Sequence, residues 1–141
     1  MYNKHDIFNT YLNRADLSVT KRAVSATKSN TEALYVCKDI YEATWALLEC
    51  VREVSGVPDD LLSRNMSVVY GCIAEHVQIP EDASRICKHL KMISSWGDAF
   101  PDIEKIATLT SDKFDEIITD VKALDNWYVE RYLKGGDDAE T

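Results

Sequence analysis

Apolar residues recur along most of this chain at the three- and four-residue spacing of an α-helix. The clearest case is the segment 31–54, where two neighbouring apolar stripes run side by side. Together they form a face wider than a coiled-coil seam, so we expect a central helix that touches several others. One stripe consists of Ala33, Val36, Ile40, Ala43, Leu47, Cys50 and Val54, and the other of Leu34, Cys37, Tyr41, Thr44, Leu48 and Val51.

The same spacing predicts helices before and after this segment. An N-terminal helix is expected over about 5–15. A second is expected over about 19–29, with Asp16 or Ser18 as its N-cap. Later helices are predicted over about 58–78, 80–96, 101–109 and 111–133.

Boundary residues support these assignments. Gly56 follows the central helix and Gly97 follows the helix at 80–96, each in the position of a C-terminal glycine. Thr110 is expected to cap the last helix, with Leu109 and Phe114 placed as a hydrophobic staple around it.

No convincing two-residue alternation and no Asn-Gly or Asp-Gly hairpin signal occurs, so no strand is predicted. Short links favour antiparallel neighbours. We therefore predict an all-α fold, a compact bundle of about five to seven helices around the helix at about 31–54. It forms a single domain over 1–134, with a mildly basic N-terminal helical arm at 1–30 and a flexible acidic tail at 135–141.

Composition limits the classes of partner. The 141 residues are 45% hydrophobic and 28% charged, with a formal net charge of −8. Such an excess of acid disfavours binding to bare nucleic acid or to an anionic membrane. No apolar run approaches the roughly 18 residues that a membrane span needs. Neither nucleic acid nor membrane is therefore expected as a partner.

The charge is unevenly distributed. Residues 1–30 carry a net charge of +3 and residues 98–141 a net charge of −7. Two interpretations follow. The basic arm lies across the acidic body of its own chain or of a second copy, or it is a solvated face with no partner.

Cysteine usage is typical of a reducing compartment. The chain has four cysteines and an N-terminus without the apolar core of a signal peptide. We therefore expect a cytoplasmic protein with free thiols. A cysteine–histidine dyad would require residues that are distant in the sequence to converge.

A zinc site has little support. Cys72 and His76 are four residues apart and share a helix face, but Cys87 and His89 point about 200° apart on a helix. No Cys-x-x-Cys pair is present. No metal, cofactor or catalytic residue is therefore predicted.

Two alternative functions stay open. All-α nucleotide pyrophosphohydrolases hold magnesium with paired acidic motifs, and Asp39 and Glu42 have one such spacing, with Glu49 and Glu53 on the next turns. No matching pair follows on a later helix, so a small metal-dependent hydrolase is an alternative. An acidic nucleic-acid mimic is another, although lysines and arginines interrupt the acids of 98–141.

The aromatic residues are unusually placed. Trp45 lies in the middle of the charged face of the central helix, within about 80° of arc, and Tyr35 lies at its margin. A tryptophan ringed by charge is typical of an interface hot spot with a polar rim. The charged residues of that face are Lys38, Glu42, Glu49 and Arg52.

Trp127 is placed in the same way on the last helix, beside Glu116, Asp120 and Arg131 and away from the apolar stripe. The alternative is that another helix, or the N-terminal segment, covers each tryptophan within the monomer.

We therefore predict a non-enzymatic, cytoplasmic protein-binding module. It would act as an inhibitor, immunity protein or phage-type accessory protein by steric occlusion of a partner protein with a basic surface. A homodimer is also compatible with the exposed tryptophans. The candidate binding residues are Tyr35, Glu42, Trp45, Glu49 and Trp127.

Overall fold

The fold is all-α, as predicted, in a computed structural model that describes residues 4–24, 30–56, 66, 69–71, 83–97 and 103–134. Those residues contain no strand. The helices are α1 (Lys4–Val24), α2 (Asn30–Ser55), α3 (Ala83–Ser95), α4 (Ile103–Ala107), α5 (Ser111–Tyr128) and a π-helical segment, Val129–Lys134, which continues α5.

The apolar face of α2 forms a large part of the core. Both predicted stripes are buried over most of their length, and α2 packs against α1, α3, α4 and α5. Val54 differs from its stripe and is 43% exposed, because it lies in the last turn of the helix. Gly56 ends α2 with a φ of 78°, a left-handed conformation that glycine adopts without a steric penalty.

The N-terminal segment corrects one prediction. Instead of two helices divided at Asp16 or Ser18, α1 runs unbroken from Lys4 to Val24. Continuing the helix buries Val19 on the same side as Ala15. The Thr20 hydroxyl donates a hydrogen bond to the Asp16 carbonyl at 3.1 Å, which lets this polar side chain stay inside a helix.

Ion pairs hold α1 against the rest of its own chain. The Arg14 guanidinium donates two hydrogen bonds to the Asp39 carboxylate of α2, at 2.9 and 2.6 Å. This hydrogen-bonded pair raises the pKa of Arg14. Lys122 of α5 pairs with Asp16 at 3.1 Å. The described part of the N-terminal arm therefore lies across α2 and α5.

Of two predicted helix boundaries later in the chain, the one at Thr110 is confirmed and the one at Gly97 is wrong in its conformation. The Thr110 hydroxyl caps α5 as expected, accepting a hydrogen bond from the Lys113 backbone N–H at 3.1 Å. Gly97 lacks the positive φ predicted for a C-terminal glycine, since Gly56 has the only positive φ among the described residues. Gly97 instead leaves room for Tyr41, because a Cβ atom there would lie 2.2 Å from the Tyr41 ring.

Parts of the sequence prediction lie outside the described residues. These include residues 25–29 of the helix predicted over 19–29, most of the helix at 58–78, with Cys72 and His76, and the tail at 135–141. Within that helix, Met66 and Val69 are helical and buried, as their stripe predicts. Among the described helices, none is both long and apolar enough to cross a lipid bilayer.

Gly56→Ala should lower the free energy of unfolding by about 1–2 kcal/mol, because a Cβ atom is strained at positive φ even where space is open. Urea unfolding measures this change. Gly71→Ala is the matched control. It lies in helical backbone with open space around it, so alanine there should be neutral or stabilising by up to about 1 kcal/mol. Equal losses for both variants would contradict the left-handed conformation of Gly56.

Candidate functional site

Tyr35, Glu42 and Trp45 lie along one stripe of α2. At 100° per residue, Glu42 falls about 20° from Tyr35, and Trp45 about 60° further round. Tyr35 is 64% exposed, Glu42 is exposed and Trp45 is partly buried. This stripe is hereafter called the α2 stripe. It combines a solvent-facing aromatic ring with an acid and the edge of a tryptophan.

The inner side of the α2 stripe is fixed against α3. Trp45 packs edge-on against Tyr41, with ring centroids 6.5 Å apart, and Tyr41 lies against Gly97. The Lys38 ammonium donates a hydrogen bond to the Trp96 carbonyl at 2.6 Å. Trp45 is therefore partly covered within the monomer and is positioned by its contact with Tyr41. Tyr35 takes no part in this contact and stays exposed to solvent.

The C-terminal half of the charged face of α2 is covered by α1. Lys4 forms ion pairs with Glu49 at 3.4 Å and with Glu53. Its hydrogen bond to Glu53 is the main cause that raises the pKa of Lys4. Arg52, expected on the same face, is 7% exposed. Glu49 therefore already has a basic partner within the chain, whereas the sequence pattern placed it in an open polar rim around Trp45.

Trp127 lies on α5 in a separate aromatic group. Its ring meets Tyr132 of the π-helical segment edge-on, with centroids 5.7 Å apart, and Tyr132 also contacts Tyr128 at 6.0 Å. Trp127 is partly buried against the core. The ring contacts of Trp45 and Trp127 therefore belong to two different groups.

Among the described residues, three of the four carboxylates of the hydrolase alternative are paired with basic side chains, and Glu42 is the exception. Asp39 binds Arg14, while Glu49 and Glu53 bind Lys4. In the described part of the chain, no three His, Cys, Asp or Glu side chains are placed to hold a metal ion together. Of the zinc candidates, Cys72 and His76 lie outside the described residues, as does the side chain of Cys87.

A buried histidine–aspartate pair joins α3 to α5, and sequence reasoning missed it. His89 Nδ1 hydrogen-bonds the Asp120 carboxylate, and the two residues are 5% and 3% exposed. His89 Nε2 lies 3.7 Å from Glu116 Oε1. A signal was available, since His89 lies three residues after buried Ile86, and Asp120 three residues after buried Ile117.

The structure also brings a cysteine and a histidine to one cavity. Cys50 and His5 line a space of about 440 Å³ between α1, the end of α2 and the end of α5. His5 Nε2 lies 2.7 Å from Asp125 Oδ1. These three residue types are those of a nucleophilic triad, but the state of the thiol decides what it can do.

The Cys50 thiol is not activated. Burial is the main cause that raises its pKa to about 11, and the charge of Glu53 adds to this. A hydrogen bond joins the thiol to the Tyr128 hydroxyl, whose own pKa is raised to about 12, mainly by burial. Nucleophilic cysteines work as thiolates with a lowered pKa. This arrangement therefore favours a structural role for Cys50.

Comparisons with protein families, with characterised proteins and with solved structures found no match to this chain.

Asp120→Ala should lower the free energy of unfolding by about 1–3 kcal/mol, because it leaves the buried His89 ring without its carboxylate partner. Chemical denaturation measures the change. Asp115→Ala removes an exposed acid from the same helix and should change stability by less than about 0.5 kcal/mol. Similar stability losses in both variants would rule out a special contribution from the buried pair.

Stability should fall in alkali through Cys50. The ordinary pKa of a cysteine thiol is 9.0, whereas in the folded protein the pKa of Cys50 is about 11. Between these values the unfolded chain releases its proton while the folded chain keeps it, so the free energy of unfolding decreases as pH rises. Cys50→Ser has no group that titrates here, and its unfolding free energy should fall less steeply than that of the wild type between pH 9 and 11.

Urea unfolding at several pH values measures this difference, with the interval below pH 8 as the internal control, where the two curves should run parallel. Parallel curves up to pH 11 would contradict the raised pKa of Cys50.

Proposed function

We propose that this protein is a non-enzymatic protein-binding module that acts by steric occlusion of a partner protein. It would serve as an inhibitor, an immunity protein or a phage-type accessory protein. The α2 stripe is the centre of the proposed binding face. Glu49, on the same helix, and Trp127, on α5, are further candidate contacts.

The exposure of Tyr35 is the observation that carries this proposal. At 64%, it exceeds that of Leu17, Val54 and Leu133, the other exposed large hydrophobic side chains of the described chain. An aromatic ring on a helix surface contributes a large contact area with little loss of side-chain entropy on binding. Tyrosine and tryptophan are the residues enriched at the energetic centre of interfaces.

The neighbours of Tyr35 suit such a centre. Lys38 and Tyr41 are fixed against Trp96 and Gly97, so the α2 stripe rests on an ordered base. A preordered binding face loses little conformational entropy when a partner binds. Glu42 supplies an exposed acid beside the ring.

Charge supports a basic partner. The chain has a net charge of −8, which would steer a basic surface towards it and speed association at low ionic strength. Glu49 contributes to this field, although a partner would have to compete with Lys4 for direct contact. Trp127 would enlarge the contact only for a partner that reaches from α2 to α5.

Tyr35→Asp should abolish partner binding while leaving the fold intact, because it replaces an exposed ring with a charge and removes no buried contact. The wild type, Tyr35→Asp and Leu17→Asp serve as three baits in lysate of the source cells. Leu17→Asp is the matched control, since Leu17 is a 57% exposed apolar residue on α1. The expected result is a protein held by the wild type and by Leu17→Asp but lost from Tyr35→Asp.

Recovery of the same proteins by all three baits would contradict the α2 stripe as the binding face. Melting temperatures of the variants verify that each is folded. Sedimentation of the wild type and of Tyr35→Asp tests the case in which the partner is a second copy. In that case the wild type is a dimer and the variant a monomer.

A further inference from the structure

A second cavity lies between the end of α3 and α4. Its volume is about 450 Å³, within the range of about 300–1,000 Å³ that is typical of small-molecule sites. Its base is apolar and consists of buried Trp96 and Ile106 with partly buried Met92 and Leu109. The space is therefore suited to an apolar body.

The rim of this cavity is polar and basic. Lys91, Ser95, Lys105 and Thr108 line it and are all exposed. None of the described lining residues carries a carboxylate. Glu104, next to Lys105 in the sequence, is not among the lining residues. The rim thus carries the positive charges of Lys91 and Lys105, while the Ser95 and Thr108 hydroxyls donate hydrogen bonds to the Met92 and Lys105 backbone carbonyls.

This basic rim contrasts with the acidic net charge of the whole chain. The chain has a net charge of −8, yet the segment Ala83–Ser95 contains Arg85, Lys88 and Lys91 and no aspartate or glutamate. Lys105 extends this positive charge from α4 to the other side of the cavity. In an acidic protein, such a local excess of positive charge selects for a negatively charged ligand group.

The walls of the cavity are already formed. The Trp96 ring packs against Phe114, with centroids 6.3 Å apart, and the Trp96 carbonyl accepts the hydrogen bond from Lys38 at 2.6 Å. On the opposite wall, the Leu109 backbone N–H donates to the Ile106 carbonyl at 3.1 Å. A ligand would therefore enter a prepared site and lose little affinity to rearrangement of the protein.

We propose that this cavity binds a small amphipathic organic anion. Its apolar body packs on Trp96, Met92 and Ile106, and its single anionic head group lies beside Lys91 at the rim. This site is independent of the proposed partner-binding face, because it uses none of the α2 residues assigned to that face.

Octanoate is the probe, and octan-1-ol is the neutral probe with the same chain length. Both are titrated below micellar concentration into ¹⁵N-labelled protein, and amide and indole shifts are followed by NMR. Octanoate should shift signals of Met92, Trp96 and Leu109 and should bind at least about fivefold more tightly than octanol, which corresponds to roughly 1 kcal/mol for the head group.

Two variants and one control variant test the site. Lys91→Gln should weaken octanoate binding about fivefold and leave octanol binding unchanged, whereas Lys88→Gln should change neither. Lys88 is the matched control, since it is an exposed lysine of α3 that does not line the cavity. Ser95→Phe should abolish binding of both probes, because the ring fills the space. Spectral dispersion verifies that each variant is folded.

Three results would overturn the proposal. They are the absence of shifts at the cavity, equal affinity for octanoate and octanol, and equal weakening by Lys88→Gln and Lys91→Gln. Equal affinity for the two probes would mean that the cavity binds apolar molecules without selecting for charge. Equal weakening by the two variants would mean that octanoate responds to the general positive charge of α3 and not to Lys91 at the rim. Retention of octanoate binding in Tyr35→Asp separates this site from the proposed partner-binding face.

Discussion

The apolar face of α2 is too broad for one neighbouring helix to cover. Two adjacent stripes of mostly buried side chains run along it, and α1, α3, α4 and α5 all pack against it. Burial of apolar area is the main favourable contribution to folding, and here much of it converges on one helix. All four of these helices contact α2, and α1 and α5 also contact each other.

Ion pairs within the chain occupy part of the charged surface of α2. Lys4 binds Glu49 and Glu53 near the C-terminal end, and Arg14 binds Asp39 on another side. The basic arm thus neutralises acids that would otherwise form a larger acidic surface. Tyr35 and Glu42 are not members of these pairs, and the proposed binding face is accordingly narrower than the whole charged face of α2.

Periodicity predicted the all-α fold, the bounds of α2, the cap at Thr110 and the turn at Gly56, because each depends on residues close together in the sequence. The same pattern wrongly predicted a break in α1 at Asp16 or Ser18, because polar residues interrupt the apolar spacing there. The burial of Val19, which favours an unbroken helix, depends on tertiary packing. Gly97 was assigned a local role, whereas it accommodates Tyr41, which lies 56 positions earlier in the chain. The candidate site shows the same limit. Tyr35 could be identified from its helix face, but the pairing of Glu49 with Lys4 depends on tertiary contact.

The His5–Asp125 pair joins α1, at the start of the described chain, to α5, near its end, across 120 residues. Contacts between α1 and α2 close a much shorter loop, so the closure of the chain between His5 and Asp125 costs more conformational entropy. The neighbouring residue Lys4 is paired with Glu49 and Glu53 of α2. The first turn of α1 is therefore held at once to the end of α2 and to α5, which ties the two ends of the described chain to the same place.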